Sequence, residues 1–138
     1  MKLDATRYPA RLERLVDANA FVEACADRSR LEDGKRFGAL LALEEAFVNI
    51  CSYAYPDSSG EVEIACGLDG GRFVLEIADW GSPFDVLSLP EPDLTLDIME
   101  RPIGGLGIHF IRVMTDSVSY RRESGRNVLR MEFAAAAG

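Results

Sequence analysis

The chain has 138 residues, 48% of them hydrophobic and 28% charged, with a formal charge of −8. That size suits one domain, residues 1–138, able to bury about two-thirds of the surface its unfolded chain exposes without a disulfide or metal staple. The balance excludes a disordered chain, and the acidic charge excludes wholesale binding to nucleic acid, whose phosphates need a basic face.

An acidic patch can still recognise a basic protein partner. Cys25, Cys51 and Cys66 are odd in number, lack any CxxC spacing and sit in apolar runs. They read as buried free thiols in a reducing compartment. The N-terminal residues have no long apolar core, so no signal peptide is expected. Nor does any stretch read as the ~20 apolar residues of a membrane span. The expectation is a cytoplasmic protein that meets no membrane.

Residues 9–28 space Leu12, Leu15, Val16, Ala20 and Ala24 among charges, a helical pattern with Pro9 in its first turn. A second, longer helix is predicted from Leu31 or Asp33 to about Tyr55, stopped by Pro56-Asp57-Ser58-Ser59-Gly60. The period then changes to two: Val62, Ile64 and Cys66 alternate with Glu61, Glu63 and Ala65, a half-buried strand. Asp69-Gly70-Gly71 carries turn chemistry, and Phe73, Leu75 and Ile77 form the apolar face of the returning strand. Gly81 to Gly105 holds Pro83, Pro90, Pro92 and Pro102, too many prolines for one regular element. A helix should follow from about Gly107 to Met114. Two last strands carry Val118 and Tyr120, then Leu129, Met131 and Phe133, joined by Glu123-Ser124-Gly125-Arg126. The class is α+β, with helices layered on one face of a hairpin-rich sheet.

Three places break these local rules, and such places are where function is sought. On the second helix, Glu45 and Asn49 stand at i and i+4 and project from one face, with Ser52 beside them. A carboxylate there can act as a general base, and an amide oxygen can ligate a hard cation such as Mg²⁺. The alternative is a narrow solvated stripe. Asp79 has the parity of Phe73, Leu75 and Ile77, so it points toward the apolar side at the end of its strand. It would take a donor such as an adenine amine, and Gly81 would let backbone come close to a flat ring; the alternative is a plain strand-ending turn. Gly104-Gly105-Leu106-Gly107 precedes a helix, where free N–H groups and the helix dipole suit a phosphate. Its alternative is a flexible loop end. Neither a P-loop nor a Rossmann fingerprint fits these glycines.

The order of these boxes resembles that of the GHKL (Bergerat) ATPases: Glu-x-x-x-Asn on a helix, Asp-x-Gly after a strand, a long loop, then Gly-Gly-x-Gly before a helix. The likeness covers nearly the whole chain. Within that superfamily, Glu100 to Ile108, then Asp116 and Arg126-Asn127-Val128-Leu129, together with Asp79-Trp80-Gly81-Ser82-Pro83-Phe84-Asp85, look like the anti-sigma-factor serine/threonine kinases of bacterial sporulation and stress response. The resemblance implies a two-layer α/β sandwich with a mixed, mostly antiparallel sheet. It gives Glu45 the place of the general base and Asn49 that of the Mg²⁺ ligand. Asp79 takes the place of the adenine-binding aspartate, Gly81 that of the glycine beside the ring, and Gly105 and Gly107 those of the glycines closing on the phosphates. Residues 86–103 would be the ATP lid. Such kinases use ATP and Mg²⁺, phosphorylate a STAS-type anti-anti-sigma protein, hold a sigma factor inactive, and are commonly homodimers.

Pro83 and Tyr53 depart from the wider pattern, where a second glycine and a histidine are common. Neither removes a proposed catalytic group. Among other residues, His109 reads as packed or solvent-facing rather than a phosphoacceptor, Trp80 as a structural aromatic or a stacking partner for a ligand, and Arg101 as either a lid cation near phosphates or a solvated arginine. Two rival functions remain: a module that binds ATP and a partner without catalysis, and a partner-binding domain without nucleotide. Intact Glu45, Asn49 and Asp79 count against the second of these.

Overall fold

A computed structural model describes residues 3–55, 59–88 and 105–135. Strand β1 spans Asp4–Pro9, and a single 3₁₀ turn at Leu12–Arg14 leads into α1, Leu15–Arg28. Helix α2 runs Asp33–Asn49 and continues as a wider π-type turn, Ile50–Ala54. Strands β2 (Glu61–Asp69) and β3 (Arg72–Asp79) form a hairpin, followed by a short 3₁₀ turn at Val86–Ser88. Helix α3 (Gly105–Met114) precedes a second hairpin of β4 (Ser117–Glu123) and β5 (Arg126–Ala134).

The strands lie in the order β1-β2-β3-β5-β4, and every ladder among the described residues is antiparallel. The expected mostly antiparallel sheet is thus antiparallel throughout what is described. Both hairpins close through residues with left-handed backbone, Gly70 and Gly71 at φ 61° and 83°, and Ser124 and Gly125 at 53° and 77°. Two such residues in a two-residue loop match the right-handed twist of the flanking strands.

Parity decides which face is covered. Val62, Ile64, Cys66, Phe73, Leu75, Ile77, Leu129, Met131 and Phe133 are buried in one core with Val22, Leu43, Phe47 and Ile111 of the three helices. The opposite face carries Glu63, Glu76, Arg121, Arg130 and Glu132, tied in a network of ion pairs. Helices therefore layer on one side, as the patterning predicts. Cys25 and Cys66 are buried free thiols, while Cys51 is only half-buried.

Three expectations need correction. Pro9 does not open a helix: it ends β1, paired with Glu61 on the edge strand, where its missing N–H costs little. The helix over residues 15–28 exists, but it buries Ala18, Val22, Cys25 and Ala26 rather than the stripe read from the spacing. Leu12 and Val16 are instead 58% and 69% exposed. Small residues let α1 lie close to its neighbours, so bulk was a poor guide to its buried face. Finally, Asp33–Ala54, 22 residues with a hydropathy of 1.2, is long and apolar enough to cross a membrane by length and composition alone. Here it is the central helix, packed against α1, α3 and the sheet, which is why it is apolar nearly all round.

Candidate functional site

The site lies where α2 crosses the ends of β3 and β5. A cavity of about 490 Å³ opens there, within the range that holds a small ligand. Ala46, Ile50, Ile77, Ile108 and Leu129 give it apolar walls, from α2, β3, α3 and β5. Asn49, Asp79, Ser82, Tyr120 and Asn127 supply polar groups, and Tyr53 and Phe84, both largely exposed, also line it.

Asp79 stands on the inward parity of β3, as its position in the sequence implies, and is only 8% exposed. Its Oδ1 accepts from Gly81 N–H at 2.9 Å and from Asn127 Nδ2 at 3.0 Å. Oδ2 has no partner among the described residues. That oxygen is not sealed from solvent, and a ligand that brings an N–H group finds an acceptor there.

Asn49 lines the cavity from α2, and its amide makes no hydrogen bond among the described residues. Glu45, one turn earlier, is half-buried but does not line the cavity. Burial, and then the charge of Glu44, push its carboxyl above the ordinary value. A raised carboxyl pKa moves toward the range where a general base works best. Ser52 is exposed to solvent.

Gly81 does not line the cavity either. A Cβ on it would sit 2.7 Å from the Ala54 carbonyl oxygen and 3.0 Å from Asp79 Oδ1. Glycine is therefore demanded here by the π-type turn of α2, whatever ligand binds. Gly105 opens α3 and Gly107 falls in its first turn, with Ile108 in the cavity wall. The N-terminus of α3, whose first N–H groups have no acceptor within the helix, thus lies beside the cavity. Gly104, Arg101 and lid residues 89–103 lie outside the described residues.

Trp80 points to the other face of the sheet, with Arg7 and Arg126 4.7 and 5.9 Å from its ring centre, a structural stack as expected. His109, half-buried on α3, has its ring 6.2 Å from that of Phe110.

Asn127 enters the sequence pattern only through the resemblance, which assigns it no role. Buried to 7% exposure, it donates to Asp79 and to Ser82 O at 2.9 Å, and accepts from Phe84 N–H at 3.1 Å and Tyr120 O–H at 2.6 Å. The signal was available: Asn127 shares the inward parity of Leu129, Met131 and Phe133, and a polar residue there needs partners.

The donor set suits an adenine nucleotide with magnesium. An acceptor ends an apolar cavity, and a free amide stands on the adjoining helix. No cluster of three or more His, Cys, Asp or Glu side chains that could hold a metal occurs among the described residues. Mg²⁺ takes oxygen ligands and keeps several waters, and the Asn49 amide oxygen, which faces no described donor, could serve as one.

Comparison with known proteins bears on the family. Residues 8–133 match the family described as the histidine kinase-like ATPase domain. The chain is 26% identical over 131 residues to the serine-protein kinase RsbW of Bacillus cereus strain AH187, covering 92% of this chain and 82% of that protein. It is 30% identical over 97 residues to RsbW of Bacillus thuringiensis, covering 67% of this chain and 61% of that one. In that match the chain spans less than two-thirds of its relative's length. The structure of the RsbU and RsbW domains of a Mycobacterium tuberculosis protein superposes with a TM-score of 0.67 at 12% identity, covering 98% of this chain and 33% of that one. The Acinetobacter baumannii histidine kinase AdeS does so at 0.54 and 15%, covering 99% and 70%. These two speak for the fold alone. The resemblance carried by the boxes is borne out, and the chain belongs to the histidine kinase-like ATPase domain family, with serine-protein kinases RsbW among its relatives.

Proposed function

We propose that the protein is a cytoplasmic, ATP-dependent serine/threonine kinase that acts as an anti-sigma regulatory factor. It would phosphorylate a STAS-type anti-anti-sigma protein and otherwise hold a sigma factor. The single observation that supports this best is the cavity between α2 and the sheet, lined by Asp79 and Asn49, whose Oδ2 and amide have no partner among the described residues.

The apolar walls would exclude water from the flat face of a base, and Asp79 would orient it through the exocyclic amine. The start of α3, with Gly105 and Gly107, would meet the phosphates through backbone N–H groups. Glu45 would take the proton of the attacking hydroxyl. Mg²⁺, when held by Asn49, would neutralise charge on the phosphate oxygens.

The position of Glu45 outside the cavity lining favours a second reading, a non-catalytic ATP-binding module that regulates a signalling partner. Partners recovered by pull-down from native cytoplasm, incubated with [γ-³²P]ATP and the pure protein, separate the two. Label on a serine or threonine of a STAS partner is the expected outcome. A protein that binds ATP and that partner but never labels it is the module instead.

A further inference from the structure

We propose that Asn127 is a positioning residue that sets which nucleobase the cavity accepts, because it leaves Asp79 facing the cavity through one oxygen only. The inference rests on the nucleotide reading above and goes beyond it in assigning the selectivity.

Asp79 and Asn127 are 48 residues apart in sequence but directly opposed in the β3–β5 ladder. All four hydrogen-bonding positions of the Asn127 amide are filled. Nδ2 donates to Asp79 Oδ1 and to Ser82 O, while Oδ1 accepts from Phe84 N–H and Tyr120 O–H. Rotating the amide by half a turn would set its oxygen against two acceptors and its NH₂ against the Phe84 N–H. Only one orientation is therefore compatible with the surroundings.

The consequence falls on Asp79. Its Oδ1 is occupied by two donors, Asn127 Nδ2 and Gly81 N–H, so the carboxylate cannot turn without losing both. Oδ2 is left toward the cavity, and an ionised carboxylate oxygen can only accept. A base with an exocyclic amine at that point gains a hydrogen bond. A base with a carbonyl oxygen there meets a like partner. Asn127 also holds Ser82 and Phe84, which line the cavity, so the carboxylate and the wall beside it move as one piece. Tyr120 supplies the O–H that completes the lock from β4.

ATP and ITP test this cleanly, since they differ only in an amine replaced by a carbonyl on the same ring. Dissociation constants for both are measured with wild-type protein, Asn127→Asp and Tyr120→Phe, alongside each variant's Tm. Wild-type protein should prefer ATP by roughly 100-fold or more, because a site built around an N–H donor rejects its replacement. In Asn127→Asp the ratio should narrow to below about tenfold, chiefly through lost ATP affinity. Tyr120→Phe, the milder change, should give an intermediate ratio, and it decides the matter if Asn127→Asp does not fold. An unchanged ATP/ITP ratio in the folded variants, or equal losses for both nucleotides, would reduce Asn127 to a structural residue and overturn the proposal. Wild-type protein that binds neither nucleotide overturns the nucleotide reading and this proposal with it, and needs no variant to reveal it.

Discussion

At Glu45, burial and the neighbouring charge of Glu44 raise the carboxyl above its ordinary value of 4.5. The folded state thus disfavours the charged form, a cost that is absent below the unfolded pKa and grows as pH rises through the folded one. Glu45→Gln removes it, so this variant should be more stable than wild type near pH 7 and equal to it below about pH 4. Urea unfolding at the two pH values checks the sign. As a proposed general base, the same substitution should leave ATP binding intact while phosphoryl transfer falls by ~10²–10⁴. Transfer at the wild-type rate would remove Glu45 from the chemistry. The inward placement of Asp79 was legible from spacing, because strand periodicity fixes which side chains share a face, whereas Glu45, one turn before Asn49, does not line the cavity with it. The bonding of Asn127 was not legible, since its partners come from β3, β4 and the turn after β3, and no local pattern reports a ladder register between distant strands.

Among the elements, the π-type turn Ile50–Ala54 connects local backbone to the site. It brings the Ala54 carbonyl against Gly81 and carries Tyr53 to the cavity. Gly81→Ala would force a contact of 2.7 Å with that carbonyl oxygen. Overpacking against backbone is expected to destabilise by ~1–3 kcal/mol, read as a lowered Tm, with weaker nucleotide binding as the turn shifts. An unchanged Tm would mean the turn yields freely. Helix and hairpin periods made α2, β2, β3 and the last hairpin legible. Strand β1 was not, because Asp4-Ala5-Thr6-Arg7-Tyr8-Pro9 is an edge strand with mostly exposed or half-buried side chains and so shows no apolar alternation. The wider turn after Asn49 also left no mark in the sequence, which continues with helix-compatible residues.

Across the whole molecule, the sheet has helices on one face and an ionic lattice on the other. Val74, Ala78 and Val128 are nonetheless buried on the ionic face, where arginine and glutamate stems are the available cover. Glu76 is the hub. Burial alone would raise its carboxyl, but hydrogen bonds from Arg121 at 3.1 and 3.2 Å and from Arg130 at 2.9 Å outweigh that and hold it below the ordinary range. A lowered carboxyl contributes stability above the unfolded pKa and loses it as pH falls through the folded one. Glu76→Gln should therefore cost about 1 kcal/mol at pH 7 and less near pH 3, below the unfolded pKa, as followed by urea unfolding. An equal loss at both pH values would deny the ionic role. The opposite face carries the claim on which everything functional depends, that the cavity between α2 and the sheet takes an adenine nucleotide. Isothermal titration of the pure protein with ATP at millimolar magnesium tests it most directly. Saturable one-to-one binding, weakened by ~1–3 kcal/mol in Asp79→Asn, is the predicted result. No heat and no thermal shift with ATP or ADP, or an affinity indifferent to Asp79→Asn, would contradict it.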